Sequence, residues 1–240
     1  MYSFSEKVVL LTGASRGIGA ALATSLAAEG ASLCLVARDG EALRHVSYEA
    51  RSRYGVEVMA RACDVRDAAR VEHLINDCVQ RLGRIDLVIN NAGVLGLMAP
   101  IHEYTPEQWN STIATNLNGA FYVAHYALRR MKGQSGGGRI VFVSSSVGRT
   151  IRAGWGAYAV SKYAVEALMQ LIAVESDQTG VVACSINPGG TSTLMRRLAY
   201  PDEDPATLPT PQEVAQGFMK IMRLPDKALN GHAFNARDHQ

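Results

Sequence analysis

From Lys7 to Ile186 the chain alternates short, almost uniformly apolar runs with longer stretches of helical pattern. No other feature restricts its fold as strongly. The apolar runs lie at Lys7 to Thr12, Ser32 to Ala37, Val56 to Ala62, Ile85 to Ile89, Ile140 to Val143 and Val181 to Ile186. Helical patterns separate them at Ile18 to Glu29, Gly40 to Tyr54, Ala68 to Leu82, Pro106 to Met131 and Ala157 to Ser176. A half-exposed strand alternates apolar and polar residues, whereas a strand covered on both faces is apolar throughout. Strand and helix in alternation, with strands of the second kind, predict an α/β fold: a doubly wound parallel sheet with helices on both faces. A helix over Gln212 to Arg223 and a last strand over His232 to Ala236 extend the sheet to about seven strands. The proline-rich segment Leu194 to Pro209 is expected to be a mobile flap over the site. No repeat or linker divides the chain, so a single domain over residues 1–240 is expected.

Composition narrows the function classes. With 240 residues, 48% of them hydrophobic and 19% charged, the chain has enough apolar material for a full core. A formal charge of +2, with no basic run longer than a pair such as Arg129 and Arg130, argues against nucleic acid as a partner. No apolar run approaches the roughly 20 residues of a membrane span. The start, MYSFSEKVVLLTG, lacks the charged and cleavable parts of a secretory signal, so a cytoplasmic location is expected. Cys34, Cys63, Cys78 and Cys184 show no metal-ligand spacing; they are read as reduced core residues, and no metal site is expected.

The first strand runs into Thr12-Gly13-Ala14-Ser15-Arg16-Gly17-Ile18-Gly19. Glycines let a backbone turn tightly and approach a diphosphate, and the following helix N-terminus offers it free N–H groups. Nucleotide binding is therefore expected at this turn, with Gly13, Ser15, Arg16, Gly17, Ile18 and Gly19 around the phosphates. The second strand ends at Arg38, where an acidic residue would suit the ribose 2′-OH of NAD; a guanidinium suits a 2′-phosphate, and Arg16 is a second cation. NADP(H) is preferred over NAD(H) on that ground. Asp64 and Val65 follow the third strand, and Asp64 is read as an acceptor for the adenine amino group. Asn90-Asn91-Ala92-Gly93 closes the fourth strand over the same crevice, and Asn116 sits inside an apolar helical stretch where asparagine is mildly unfavourable. Beyond the fifth strand come Ser144, Ser145 and Ser146, then Tyr158 and Lys162 on one helix face. A cation beside a phenol favours the phenolate, so Lys162 is expected to lower the Tyr158 pKa.

Together the TGxxxGxG, NNAG and YxxxK motifs make the chain resemble the short-chain dehydrogenase/reductases from about residue 5 to residue 236. The resemblance implies a Rossmann fold and an NADP(H)-dependent oxidoreductase that moves hydride between nicotinamide and a carbonyl or alcohol substrate. It implies catalytic roles for Ser145, for Tyr158 as general acid/base, for Lys162 on the nicotinamide ribose, and for Asn116 as anchor of a relay water. It also implies that Asn90, Ala92, Gly93, Pro188, Gly189, Thr191 and Thr193 line the cofactor, and that the long helices build a homodimer or homotetramer. The loops are most similar to a bacterial subgroup of oxidoreductases without an established substrate. A 3-oxoacyl-carrier-protein reductase-like enzyme and a non-catalytic NADP sensor are the competing readings. Arg149, Arg152, Arg196 and Arg197 are read either as a basic rim for an anionic substrate or as solvated surface.

Overall fold

The computed structural model describes residues 2–176 and 178–239. Seven strands, all parallel, form one sheet in the order β3-β2-β1-β4-β5-β6-β7. They are β1 (Val8–Thr12), β2 (Ser32–Ala37), β3 (Val58–Ala62), β4 (Leu87–Asn90), β5 (Gly138–Val143), β6 (Val181–Asn187) and β7 (Ala233–Asn235). Helices α1 (Gly17–Ala28), α2 (Gly40–Tyr54) and α3 (Ala68–Leu82) follow the first three strands. The expected doubly wound architecture is what forms.

Side chains of successive strand residues point to opposite faces, and the core divides accordingly. Val9, Leu11, Leu33 and Leu35 pack with α1, α2 and a late helix, α8 (Pro211–Met222). Val8, Leu10, Cys34 and Val36 pack on the other face with α3 and two helices described below. All four cysteines are buried and free, as small apolar residues would be.

The connection between β4 and β5 differs from expectation. Pro106 to Met131 was to be one regular helix; instead α4 (Pro106–Ile113) passes through a π turn, Ala114–Asn118, into α5 (Gly119–Met131). Thr105 and Gln108 cap the start of α4 reciprocally, and Pro106 supplies a first residue with no N–H to lose. At the π turn the Gly119 N–H reaches back to the Ala114 carbonyl, so the ladder widens without breaking. The segment Leu194 to Pro209 also gains structure, with α7 (Leu194–Ala199) and a 3-10 turn at Pro205–Thr207. The other long helix, α6 (Gly156–Glu175), begins close to where the pattern placed it, and a short α9 (Asp226–Leu229) precedes β7.

Strand order reverses between β1 and β4, so the crevice beyond their C-terminal ends is the natural ligand site of this sheet. The glycine turn is built tightly there. A Cβ on Gly19 would lie 2.1 Å from the Gly13 carbonyl oxygen, backbone against backbone. Gly55, at φ 69° after α2, has nothing within 4 Å of such an atom. Gly19→Ala should therefore cost about 3 kcal/mol or more, the upper end of overpacking strain because backbone must move, and Gly55→Ala only the roughly 1–2 kcal/mol of a left-handed backbone. Urea unfolding of the two variants checks the order.

Candidate active site

A cleft of about 1500 Å³ opens along the C-terminal ends of the strands. It exceeds the roughly 300–1,000 Å³ of a site for one drug-sized ligand, so two molecules fit side by side. Its floor is the glycine turn. Gly13 and Gly17 take φ of 65° and 56°, and Asn91 holds the turn in place. The Asn91 side chain donates to the carbonyls of Thr12 (2.9 Å) and Gly13 (3.1 Å), while the Thr12 hydroxyl accepts from the backbone N–H groups of Asn91 and Ala92, both at 3.0 Å. Thr12 and Asn91 were not singled out in the sequence; their signal was a polar residue at each strand end.

Helix α1 starts at Gly17 with no side-chain cap and no acidic residue in its first turn, which leaves its N–H groups and partial positive charge directed at the cleft. Ser15, Arg16, Gly17, Ile18, Gly19, Arg38, Asp64 and Val65 all line that end. Arg16 and Arg38 are exposed, and neither forms an ion pair among the described residues. Asp64, read as an adenine acceptor, instead holds Arg66 through both oxygens at 2.6–3.0 Å, and that guanidinium keeps its carboxyl below the usual range. A glycine cradle, an uncapped helix start and two free guanidiniums suit a dinucleotide carrying an extra phosphate.

At the other end, Ala92, Gly93, Ser144, Tyr158, Lys162, Pro188 and Thr193 reach the cleft. Asn90, Asn116, Gly189 and Thr191 are not part of this lining, and Ser145 adjoins it through a hydrogen bond to the Tyr158 phenol. Asn90 Nδ2 and Ser144 Oγ are buried without a partner, two orphaned polar atoms at the mouths of β4 and β5. Ser145 lies beyond β5 in extended backbone, its hydroxyl accepting from Val147 N–H at 3.4 Å. Thr191 donates to the Gly189 carbonyl at 3.3 Å.

Asn116 is 1% exposed and fully engaged. Its oxygen accepts from Val94 N–H (2.8 Å), and its amide donates to the Val94 carbonyl (2.9 Å) and to Ser161 Oγ (3.1 Å). The π turn thus clamps the strand-like loop after β4 and ties it to α6. The side chain expected to anchor a relay water is thus bonded to the protein itself.

Tyr158 and Lys162 sit one turn apart on α6, both buried, with Nζ 5.7 Å from the phenol ring centroid. Lys162 donates to the Val143 carbonyl at 2.7 Å. Here an expectation needs correction: burial pushes the Tyr158 phenol up, opposed by a hydrogen bond from Ser145, and Lys162 does not reverse that rise. Desolvation of the phenolate outweighs attraction to an ammonium that is itself poorly solvated. The same burial draws Lys162 down to about 8, with the Glu166 carboxylate opposing it.

Glu166 belongs to a network that sequence reasoning missed, although it follows Lys162 by one turn. It accepts from Arg149 Nε (2.8 Å) and from Ser185 Oγ (2.5 Å). Arg149 also reaches Asn235 Oδ1 (3.0 Å) and the Phe234 carbonyl (3.0 Å). Arg149 is therefore neither basic rim nor solvated surface: it binds the loop after β5 to α6, β6 and β7. Arg196 is committed too, its Nε and Nη2 on the Glu203 carboxylate at 2.5 and 2.6 Å.

The short chain dehydrogenase pattern matches residues 7–204. The chain belongs to the short chain dehydrogenase family. It is similar to the uncharacterized oxidoreductase YciK of Escherichia coli K12, at 37% identity over 97% of this chain and 92% of that one. Among solved structures, a short chain dehydrogenase of Shigella flexneri complexed with NADP superposes with a TM-score of 0.91 at 36% identity, covering 97% of this chain and 98% of the other. One from Escherichia coli CFT073, complexed with NADPH, gives 0.91 at 35% identity and 97% coverage of both chains. As a family member the chain is an oxidoreductase, and no helix among the described residues is long and apolar enough to cross a membrane.

A pH dependence follows from Lys162. Below about pH 8 it is charged both folded and unfolded, and the cost of burying the charge is present in full. Above that value the unfolded chain, with its lysine near the ordinary 10.5, holds more protons than the folded one, so this contribution to stability rises with pH. Urea unfolding of the cofactor-free protein should show wild type gaining on Lys162→Met between about pH 8 and 10.

Proposed function

We propose that the protein is an NADP(H)-dependent reductase of carbonyl compounds, or dehydrogenase of the matching alcohols, with Tyr158 as general acid/base. The observation that carries this reading is the buried Tyr158 and Lys162 pair opening on the same cleft as the glycine cradle and the free Arg16 and Arg38. The NADP and NADPH complexes of similar proteins support the choice of cofactor.

Bound NADPH supplies the hydride, two electrons and a proton's nucleus, that reaches the carbonyl carbon. The protein's own groups do the rest. Gly13 to Gly19 and the start of α1 hold the diphosphate, and Arg16 and Arg38 hold the 2′-phosphate. A phenol pushed up by burial is protonated at neutral pH, so Tyr158 starts as a proton donor to the developing alkoxide. Ser145 places a second hydroxyl beside the same oxygen. Lys162, fixed by the Val143 carbonyl, provides a positive charge that stabilises the phenolate left behind. In the alcohol-oxidising direction the same proton returns to Tyr158.

Exposed apolar residues on α6 (Val160, Tyr163, Leu171, Val174) and Phe121 on α5 support assembly into a homodimer or homotetramer. The sensor reading is less favoured, because binding alone does not call for a buried phenol and ammonium. A carrier-bound acyl substrate is less favoured because Arg149 and Arg196 are already paired.

Tyr158→Phe should lower kcat at least 1,000-fold while NADPH affinity, followed by cofactor fluorescence, changes less than three-fold; substantial residual reduction sinks the role. For the cofactor, Arg38→Asp should reverse the preference, weakening NADPH at least ten-fold and leaving NADH unchanged or improved. Wild-type preference for NADH in the same titration would overturn the reading of Arg38.

A further inference from the structure

We infer that the substrate end of the cleft takes a neutral, bulky apolar ketone or the matching secondary alcohol, enclosed between the loop after β4 and α7. This deepens the oxidoreductase reading and rests on it. One wall is Leu95, Leu97 and Met98, and the other is Leu194, Met195 and Leu198. Leu194 and Leu198 are one helical turn apart and share a face of α7. Both line the cleft, yet they are 48% and 63% exposed. Large apolar side chains left open over a cavity gain free energy in proportion to the apolar area a ligand covers. A small or highly polar substrate would leave that area in water.

The charges point the same way. An anionic substrate needs guanidiniums free to turn toward it. Arg149 is held by Glu166, Ser185 and Asn235 away from the cleft lining, and Arg196 is neutralised in a two-point pair with Glu203. Arg152 is exposed and is not part of the lining. Arg197 alone of the four lines the cleft, at an exposed position where water screens its charge.

The apolar wall also stands at a fixed reach from the phenol. The Arg196 guanidinium stacks 3.8 Å above the Tyr200 ring, whose centroid is 5.9 Å from that of Trp155, and Trp155 is 5.6 Å from Tyr158. This row of planar groups joins α7 to α6, and with the Glu203 pair it makes Arg196 a brace of the flap rather than an anion receptor. Met195 and Ala199 complete the contact by packing on the cluster of Leu95, Val147 and Tyr158.

The test pairs neutral and acidic ketones of one shape and varies bulk at constant charge. With NADPH, kcat/KM should be at least ten-fold higher for 4-tert-butylcyclohexanone than for cyclohexanone, and at least ten-fold higher for acetophenone than for 4-acetylbenzoate. The Leu194→Asn, Leu198→Gln double variant should raise KM for 4-tert-butylcyclohexanone about ten-fold or more, with NADPH affinity kept as the check on folding. Binding of the same ketone is read independently of chemistry, from the NADPH fluorescence of Tyr158→Phe. Saturable binding there without turnover by wild type would support this substrate class while defeating the catalytic reading. No binding of 4-tert-butylcyclohexanone, or an advantage of 4-acetylbenzoate that disappears in Arg197→Met, would overturn the inference.

Discussion

The Asn91 side chain and the Thr12 hydroxyl hold the ends of β1 and β4 together at the point where the strand order reverses. Neighbouring parallel strands diverge there, because their following helices leave on opposite faces of the sheet. Without a bridge, the carbonyls of Thr12 and Gly13 would face the gap unpaired, at a cost comparable to losing buried hydrogen bonds. Everything around the cleft is placed relative to this bridge. The glycine turn lies on one side of it, and the loop that carries Val94 to Met98 leaves from the other.

A second set of bonds then fixes the catalytic end. Asn116 grips Val94 from the π turn and touches Ser161 on α6; Lys162, the next residue, holds the end of β5 through the Val143 carbonyl. The polar groups around Tyr158 are thus satisfied largely by backbone of two segments, the loop after β4 and the end of β5. Burial makes both members of the pair uneasy in their charged forms, since the phenol rises and the ammonium falls. Such opposed shifts are common where proton transfer is the task. Behind them the Glu166 carboxylate, held in place by Arg149, opposes the fall of Lys162.

Much of this was legible in the sequence. Uniformly apolar runs such as Val8 to Thr12 announced a two-sided parallel sheet, and the glycine turn, NNAG and the Tyr158 and Lys162 spacing announced the crevice. What sequence concealed depended on distance in space. Arg149 looked like surface because its partners, Glu166, Ser185 and Asn235, are scattered through the chain. The direction of the Tyr158 shift was misread because adjacency on a helix gives the sign of a charge interaction but not the depth of burial. The flap's proline content suggested mobility, yet Thr193 caps α7 and Asp204 caps the next turn, two local bonds that give the segment regular structure. Asn116 was noticed for being out of place in a helix; the π turn that makes it fit has no composition of its own.

That turn has a further meaning for the geometry of the chain. An α-helix advances about 100° per residue, so a surplus residue in a regular helix would turn everything after it by about that angle. The π turn widens to absorb that residue, and Val123, Ala127 and Met131 of α5 stay buried, as Thr112 does on α4. Removing one residue between Ala114 and Asn118 would therefore leave a regular helix with α5 still seated, and what would go with the widened turn is the placement of Asn116 against Val94. The surplus residue serves one asparagine rather than the helix that follows it.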